Sequence, residues 1–311
     1  MTVPHRASVA RATHCFALVL SSLLAAGCSS ADRVIETRSA SSPPPWYVSA
    51  LHLTLSELPS LGQGEKIAVV DTGFDSTGLE NGGPKIVDSF DMLIGTSGTD
   101  DDNGHGTMMG SIIANRGAFG VWGLAPMSTL IVIKAFSADG QSSPEAVADG
   151  VLEAVKAGAS VINLSLATAT PSPALGSAVA SAEAAGAVVV AAAGDTGADG
   201  PEFPAADPGV VAVYGQDEGG GIAASSNHPI GPAALAPGVD VDAIKDEVGG
   251  MPHRTAADGT SAAAAVESGI LADCLAAHSS LASRTAWCVS AVTISRPGVF
   301  INVPRVLGAP T

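Results

Sequence analysis

An aspartate, a histidine and a serine, each set in a glycine-bounded turn, are the side chains of this sequence that could act on a substrate together. Asp71 lies in Val69-Val70-Asp71-Thr72-Gly73, His105 in Asn103-Gly104-His105-Gly106-Thr107, and Ser261 in Asp258-Gly259-Thr260-Ser261. A neutral imidazole, with an ordinary pKa of about 6.5, can take a proton from a serine hydroxyl near pH 7 and later return it to a leaving group. A carboxylate can fix the imidazole's tautomer and stabilise the imidazolium that forms. Singly, each residue has a plain structural explanation: Asp71 caps a turn, His105 begins a surface helix, and Ser261 belongs to a helix start ahead of a run of alanines. Together they describe nucleophilic catalysis at a carbonyl. Ser261 at the first turn of the helix Ala262 begins would also place backbone N–H groups and the positive end of a helix dipole beside charge developing on a substrate oxygen.

The elements that must bring these three residues together are legible in the hydrophobic pattern. Valine- and isoleucine-rich runs at 66–70, 130–135, 161–166, 187–193 and 210–214 read as strands of a sheet buried on both faces. Helices alternate with them. Ser143-Pro144 opens one with Val147, Val151 and Val155 on one side and Gly158 at its end, Ser172-Pro173 and Gly186 bracket the next, and residues 106–114 form a third. Strands alternating with helices predict an α/β fold: three layers, a mostly parallel central sheet, and helices on both faces. Active residues then belong at the carboxyl ends of strands.

The three turns occur in the order and spacing of the subtilisin-like serine proteases, and the chain resembles that family, the subtilases, from about Glu65 to Leu307. Further matches are Val161-Ile162-Asn163-Leu164-Ser165-Leu166, the run from Val188 to Gly194, Phe203-Pro204-Ala205, Ser226-Asn227 and Ala236-Pro237-Gly238. The resemblance implies a serine endopeptidase acting on a protein or peptide. Asp71, His105 and Ser261 would form its catalytic triad, and Ser165, Leu166, Ala167, Ala193 and Gly194 would line the substrate cleft. The position that matches the family's oxyanion-hole asparagine holds Asp195, which with Ser261 would form that hole. An ionised carboxylate has no proton to donate there, so slow turnover, or an acid-shifted optimum with Asp195 protonated beside an apolar wall, is expected. Ala167 and Thr168 stand where the family often has glycines, and their added Cβ atoms should narrow the cleft toward small or slim apolar side chains. Ala262 and Ala265, in place of methionine and proline, should alter packing rather than chemistry.

Composition limits the remaining possibilities. A chain of 311 residues, 46% hydrophobic and 14% charged, can bury one large core, and a formal charge of −16 makes nucleic acid an unexpected partner. Residues 1–27, with Arg6 and Arg11 before the apolar run 16–26, look like an export signal too short to span a bilayer. The stretch Leu24-Ala25-Ala26-Gly27-Cys28 resembles a bacterial lipoprotein processing site, with Cys28 as the lipid-bearing residue and Ala25 where leucine is usual. The membrane would then be reached only through that lipid, and the protein would be an exported envelope lipoprotein or, without the lipid, secreted. Residues 28–61, including Ser41-Ser42-Pro43-Pro44-Pro45, read as a tether with Trp46 and Tyr47 packing it onto the catalytic domain, 62–308. Fewer than the roughly 40 residues a small domain needs separate Cys28 from Glu65, so no folded propeptide is expected there.

Cys274 and Cys288 could close a disulfide loop of roughly 15 residues, worth about 3 kcal/mol in an oxidising compartment, or remain buried thiols. No histidine and cysteine cluster has zinc spacing, and no cofactor is required. Asp100, Asp101 and Asp102 are candidates for structural calcium, but a solvated acidic loop is the expected reading. A monomer is expected. Two function classes remain: an exported serine endopeptidase, and a subtilase-fold protein that binds peptides or a partner with little or no cleavage.

Overall fold

The computed structural model describes residues 45–51, 60–98, 100–231, 233–246 and 250–294. The expected lipidation residue Cys28 and the export signal lie outside these. Seven parallel strands form the core of one sheet: β1 (Lys66–Asp71), β2 (Ile86–Asp91), β3 (Thr129–Lys134), β4 (Val161–Leu164), β5 (Val188–Ala192), β6 (Val210–Gln216) and β7 (Ala233–Pro237). A hairpin, β8 (Val241–Lys245) with β9 (His253–Ala257), stands apart, and β10 (Thr293–Ile294) adds an antiparallel edge. Across the sheet the order is β10, β7, β6, β5, β4, β1, β3, β2.

The helices are α1 (Trp46–Ala50), α2 (His105–Ala114), α3 (Pro144–Lys156), α4 (Pro173–Ala184), α5 (Thr260–Ala277) and α6 (Arg284–Val292). Side-chain alternation along the strands divides the core between the two faces. Ile67, Val69, Leu130, Val132, Val188 and Val190 pack on one face against Met109, Ile112 and Ile113 of α2 and the alanines of α5. Ala68, Val70, Ile131, Ile133, Val189 and Ala191 pack on the other against α3 and α4. The three-layer α/β architecture follows directly from those two apolar faces.

The five expected strands and the helices flanking them are present with small boundary shifts; β4 ends at Leu164 rather than Leu166, and β1 extends to include Asp71. Four strands have no comparable signal. β2 is a half-exposed edge with the polar sequence IVDSFD, β7 is alanine-rich and ends in proline, and β8 and β9 pair only with each other. Helix α5 is apolar on nearly every side because it is buried on nearly every side. In the segment read as a tether, α1 is a docked turn. Tyr47 and Leu51 are buried, and Trp46 Nε1 donates to the Val239 carbonyl at 3.0 Å.

Candidate active site

Parallel strands deliver the site. Asp71 is the last residue of β1, paired in register with Lys134 of β3, and its side chain is buried at the carboxyl edge of the sheet. His105 is the first residue of α2. Its Nδ1 lies 2.8 and 3.0 Å from the two Asp71 carboxylate oxygens, and Asp71 also accepts from the Thr72 N–H at 2.7 Å. The Asp71 charge raises the His105 pKa above its usual value, against an opposing effect of burial. Gly106 is required beside His105, since a Cβ there would stand 2.1 Å from the Gly73 carbonyl oxygen. Two segments that are far apart in sequence thereby meet.

A hydrogen-bonded turn holds this pair from beneath. Asp101 is buried and accepts five hydrogen bonds: from the Thr72 and Thr107 hydroxyls at 2.8 and 2.7 Å, and from the N–H groups of Asn103, Gly104 and Thr107 at 3.1, 2.8 and 2.8 Å. Thr72 Oγ1 in turn accepts from the Gly106 N–H at 2.9 Å. Burial pushes the Asp101 pKa upward, but the donors from Thr107, Gly104 and Thr72 outweigh it and hold the pKa below the ordinary carboxylate value. The acidic triplet is thus not the solvated loop expected. Asp102 pairs with Lys134 Nζ at 2.6 Å, Asp100 is exposed, and only Asp101 turns inward. The three side chains therefore point in different directions rather than toward one point.

Ser261 is the second residue of α5, so its N–H lies in the first turn, where no carbonyl precedes it in the helix. Gly259 ahead of it has φ +103°, which suits glycine. Ser261 Oγ donates to the Ser165 carbonyl at 3.0 Å, and Ser165 Oγ donates back to the Ser261 carbonyl at 2.9 Å. Behind them Asn163 Nδ2 donates to Ser165 Oγ at 2.9 Å, and Ser268 Oγ donates to Asn163 Oδ1 at 3.0 Å. This buried chain ties the serine turn to β4. Asn163 and Ser268 were not singled out from sequence, and Asp101 was named there only as part of an acidic triplet, not as the acceptor that supports the Asp71–His105 pair. Asn163 lies within a recognised stretch, but nothing in its spacing tells which side chains face inward.

His105 and Ser261 line one cleft of about 470 Å³ together with Asp71, Ser165, Leu166, Ala167 and Asp195. Ala193 and Gly194, expected to line the cleft, sit just behind it between the lining residues Ala192 and Asp195: the Ala193 carbonyl accepts from Glu202 N–H and Asn227 Nδ2, and Gly194 N–H donates to Thr260 Oγ1. Asp195 is exposed rather than set beside an apolar wall. Its carboxylate accepts from the Thr260 N–H at 2.9 and 3.2 Å and from the Thr260 hydroxyl at 3.0 Å, at the N-terminus of α5. The sulfurs of Cys274 and Cys288 lie 2.05 Å apart, at bonding distance.

Known proteins share this arrangement. The subtilase family profile matches residues 62–297. Subtilisin BL of Lederbergia lenta is 36% identical over 199 residues, covering 63% of this chain and 72% of its own. An alkaline protease of Shouchella clausii is 36% identical over 199 residues, covering 63% of this chain and 51% of its own. A crystal structure of a cold adapted subtilisin-like serine proteinase superposes with a TM-score of 0.66 at 27% identity, covering 78% of this chain and 89% of that one. With a parallel sheet presenting the acid–imidazole pair and the helix-borne serine to one cleft, the chain belongs to the subtilase family of serine endopeptidases.

Proposed function

We propose that this protein is an exported serine endopeptidase that hydrolyses peptide bonds through an acyl-enzyme on Ser261. The observation that carries this is the Asp71–His105 pair opening onto the cleft that Ser261 also lines. In the first step Ser261 Oγ leaves the Ser165 carbonyl by rotation about χ1 and attacks the substrate carbonyl carbon, while His105 Nε2 takes its proton. The Asp71 charge stabilises the resulting imidazolium. Collapse of the tetrahedral adduct breaks the C–N bond, His105 protonates the departing amine, and water then releases the acyl group by the same route.

The Ser261 N–H is one donor for the oxyanion. Asp195 supplies no second donor, because its oxygens accept from Thr260. Slow turnover follows from the missing donor, and the raised His105 pKa moves the acid limb of the rate profile upward. Asp195→Asn keeps an acceptor for Thr260 and adds an N–H donor, so kcat at pH 7 should rise about tenfold or more. An unchanged or lower kcat contradicts this role. The acid limb of kcat/KM should lie above the ordinary histidine value of 6.5, since only neutral His105 can accept the serine proton.

The resting hydrogen bond from Ser261 to Ser165, rather than to His105, favours keeping the second reading, a peptide-binding protein with little turnover. Labelling by a fluorophosphonate separates them: modification of Ser261 that disappears in Ser261→Ala supports the hydrolase, and no labelling of the intact protein supports the binder. Export and a lipid on Cys28 are part of the same proposal, and mass spectrometry of the mature N-terminus tests them.

A further inference from the structure

The cleft lined by His105 and Ser261 holds a carboxylate that the mechanism does not use, Glu202. The cleft's first wall is made by Ser165, Leu166 and Ala167, tied to Ser261 through Ser165, and its second by the stretch 192–196, of which Ala192, Asp195 and Thr196 line the cleft and which is tied to Thr260 through Gly194 and Asp195. Glu202 and Phe203 join these two walls. Phe203 exchanges two hydrogen bonds with Thr168, at 2.7 and 2.9 Å, and the Glu202 N–H donates to the Ala193 carbonyl at 2.9 Å. Glu202 lines the same cleft as His105 and Ser261. Its carboxyl carbon lies 3.1 Å from where a Cβ on Gly194 would stand, so the carboxylate rests against the bare backbone of the second wall.

That carboxylate is poorly compensated. Asp71 is engaged by His105 and Asp195 by Thr260, whereas Glu202 forms no ion pair among the described residues. Its Oε1 is 2.9 Å from the Thr196 hydroxyl, but that hydroxyl is also 2.9 Å from Asn227 Oδ1 and has one hydrogen for the two acceptors. Among the described residues no lysine or arginine lines the cleft. An apolar substrate side chain entering here would strip water from a half-buried carboxylate without replacing its hydrogen bonds, and an acidic one would be repelled.

We infer that Glu202 selects a lysine or arginine side chain on the substrate residue immediately before the scissile bond. The proposal rests on the endopeptidase reading of the cleft and revises the slim apolar preference expected from its first wall. Ala167 lines the cleft with its Cβ, and the unbranched stem of a basic side chain fits beside it while carrying its charge to Glu202. The net charge of −16 attracts cationic peptides at longer range.

The test is a matched peptide series differing only at that residue, with Lys, Arg, Leu, Phe and Glu, assayed on the full chain. Lys and Arg should exceed Leu in kcat/KM by about tenfold or more, Glu should be poorest, and Glu202→Gln should erase most of the preference. Binding of the same peptides to Ser261→Ala should give the same order of Kd, with the Lys preference lost in Ser261→Ala/Glu202→Gln. Leu or Phe outranking Lys, or a preference that survives Glu202→Gln, overturns the inference. A chain that cleaves none of the peptides and resists the fluorophosphonate defeats the endopeptidase reading, while the Kd series still decides the role of Glu202.

Discussion

The turn beneath His105 and the middle of α5 each bury a carboxylate, and the two carboxylates behave in opposite ways. Asp101 is surrounded by donors and its pKa is lowered; Glu267 has no hydrogen-bond partner for either oxygen among the described residues, and burial pushes its pKa up to about 8. Between them stands Asp273, also on α5. One of its oxygens accepts from the Ser60 hydroxyl at 2.5 Å and the Gly62 N–H at 3.1 Å, while the other is buried without a partner. Burial raises its pKa despite those donors. Charge in this interior is therefore set by the balance between burial and the supply of donors: the donors win at Asp101, burial wins at Asp273 despite them, and at Glu267 burial is unopposed. The loop that positions the chemistry is ionised and rigidly bonded. The helix that carries the serine holds its own acid neutral.

The strongest way to break this contrast is pH. Glu267 is protonated in the folded state but ionises near 4.5 when unfolded, so its stabilising effect is full below pH 4.5 and is lost as pH rises from 4.5 to about 8. Between pH 5 and pH 8 the loss amounts to about 3 to 4 kcal/mol, and Glu267→Leu should remove it when denaturant unfolding is compared at those two pH values. An equal slope in the variant would assign the pH dependence to another group. Asp101 has the opposite sign: its contribution is present above its unfolded value of 3.8 and is lost as pH falls through the lowered folded pKa.

Asp101→Ala should cost about 3 kcal/mol at pH 7, because it leaves buried hydroxyl and N–H donors unmatched. It should also lower kcat more than it raises KM, because the Thr72–Gly106 link loses its support. A stable variant with unchanged kcat would reduce Asp101 to a loop residue. The smallest effect belongs to the intermediate case. Asp273→Asn keeps one acceptor for Ser60 and Gly62 and removes an acid with a raised pKa, so thermal unfolding at pH 7 should shift stability by about 1 kcal/mol or less.

The positions of the chemistry were readable because each local signal matched its element. Apolar β-branched runs mark strands buried on both faces, Ser-Pro marks the first turns of α3 and α4, and glycine-bounded turns mark Asp71, His105 and Ser261. β2 and β7 were not readable, since a half-exposed edge strand and an alanine-rich one lack that pattern. Three adjacent aspartates likewise look alike on paper. Only Asp101 meets the donors of Thr72 and Thr107, so only it is drawn inside.

By itself the amino-acid order determined the layered α/β fold, the family and the three residues offered for catalysis, because period, turn chemistry and short motifs are local properties. The tertiary structure alone decided that Asp195 accepts from Thr260, that Glu202 lines the same cleft as His105 and Ser261, and that Glu267 lies where no described donor reaches it. Those facts depend on contacts between separate segments, such as Asp195 with Thr260, or on their absence, and side-chain charge answers to neighbours in space rather than in sequence.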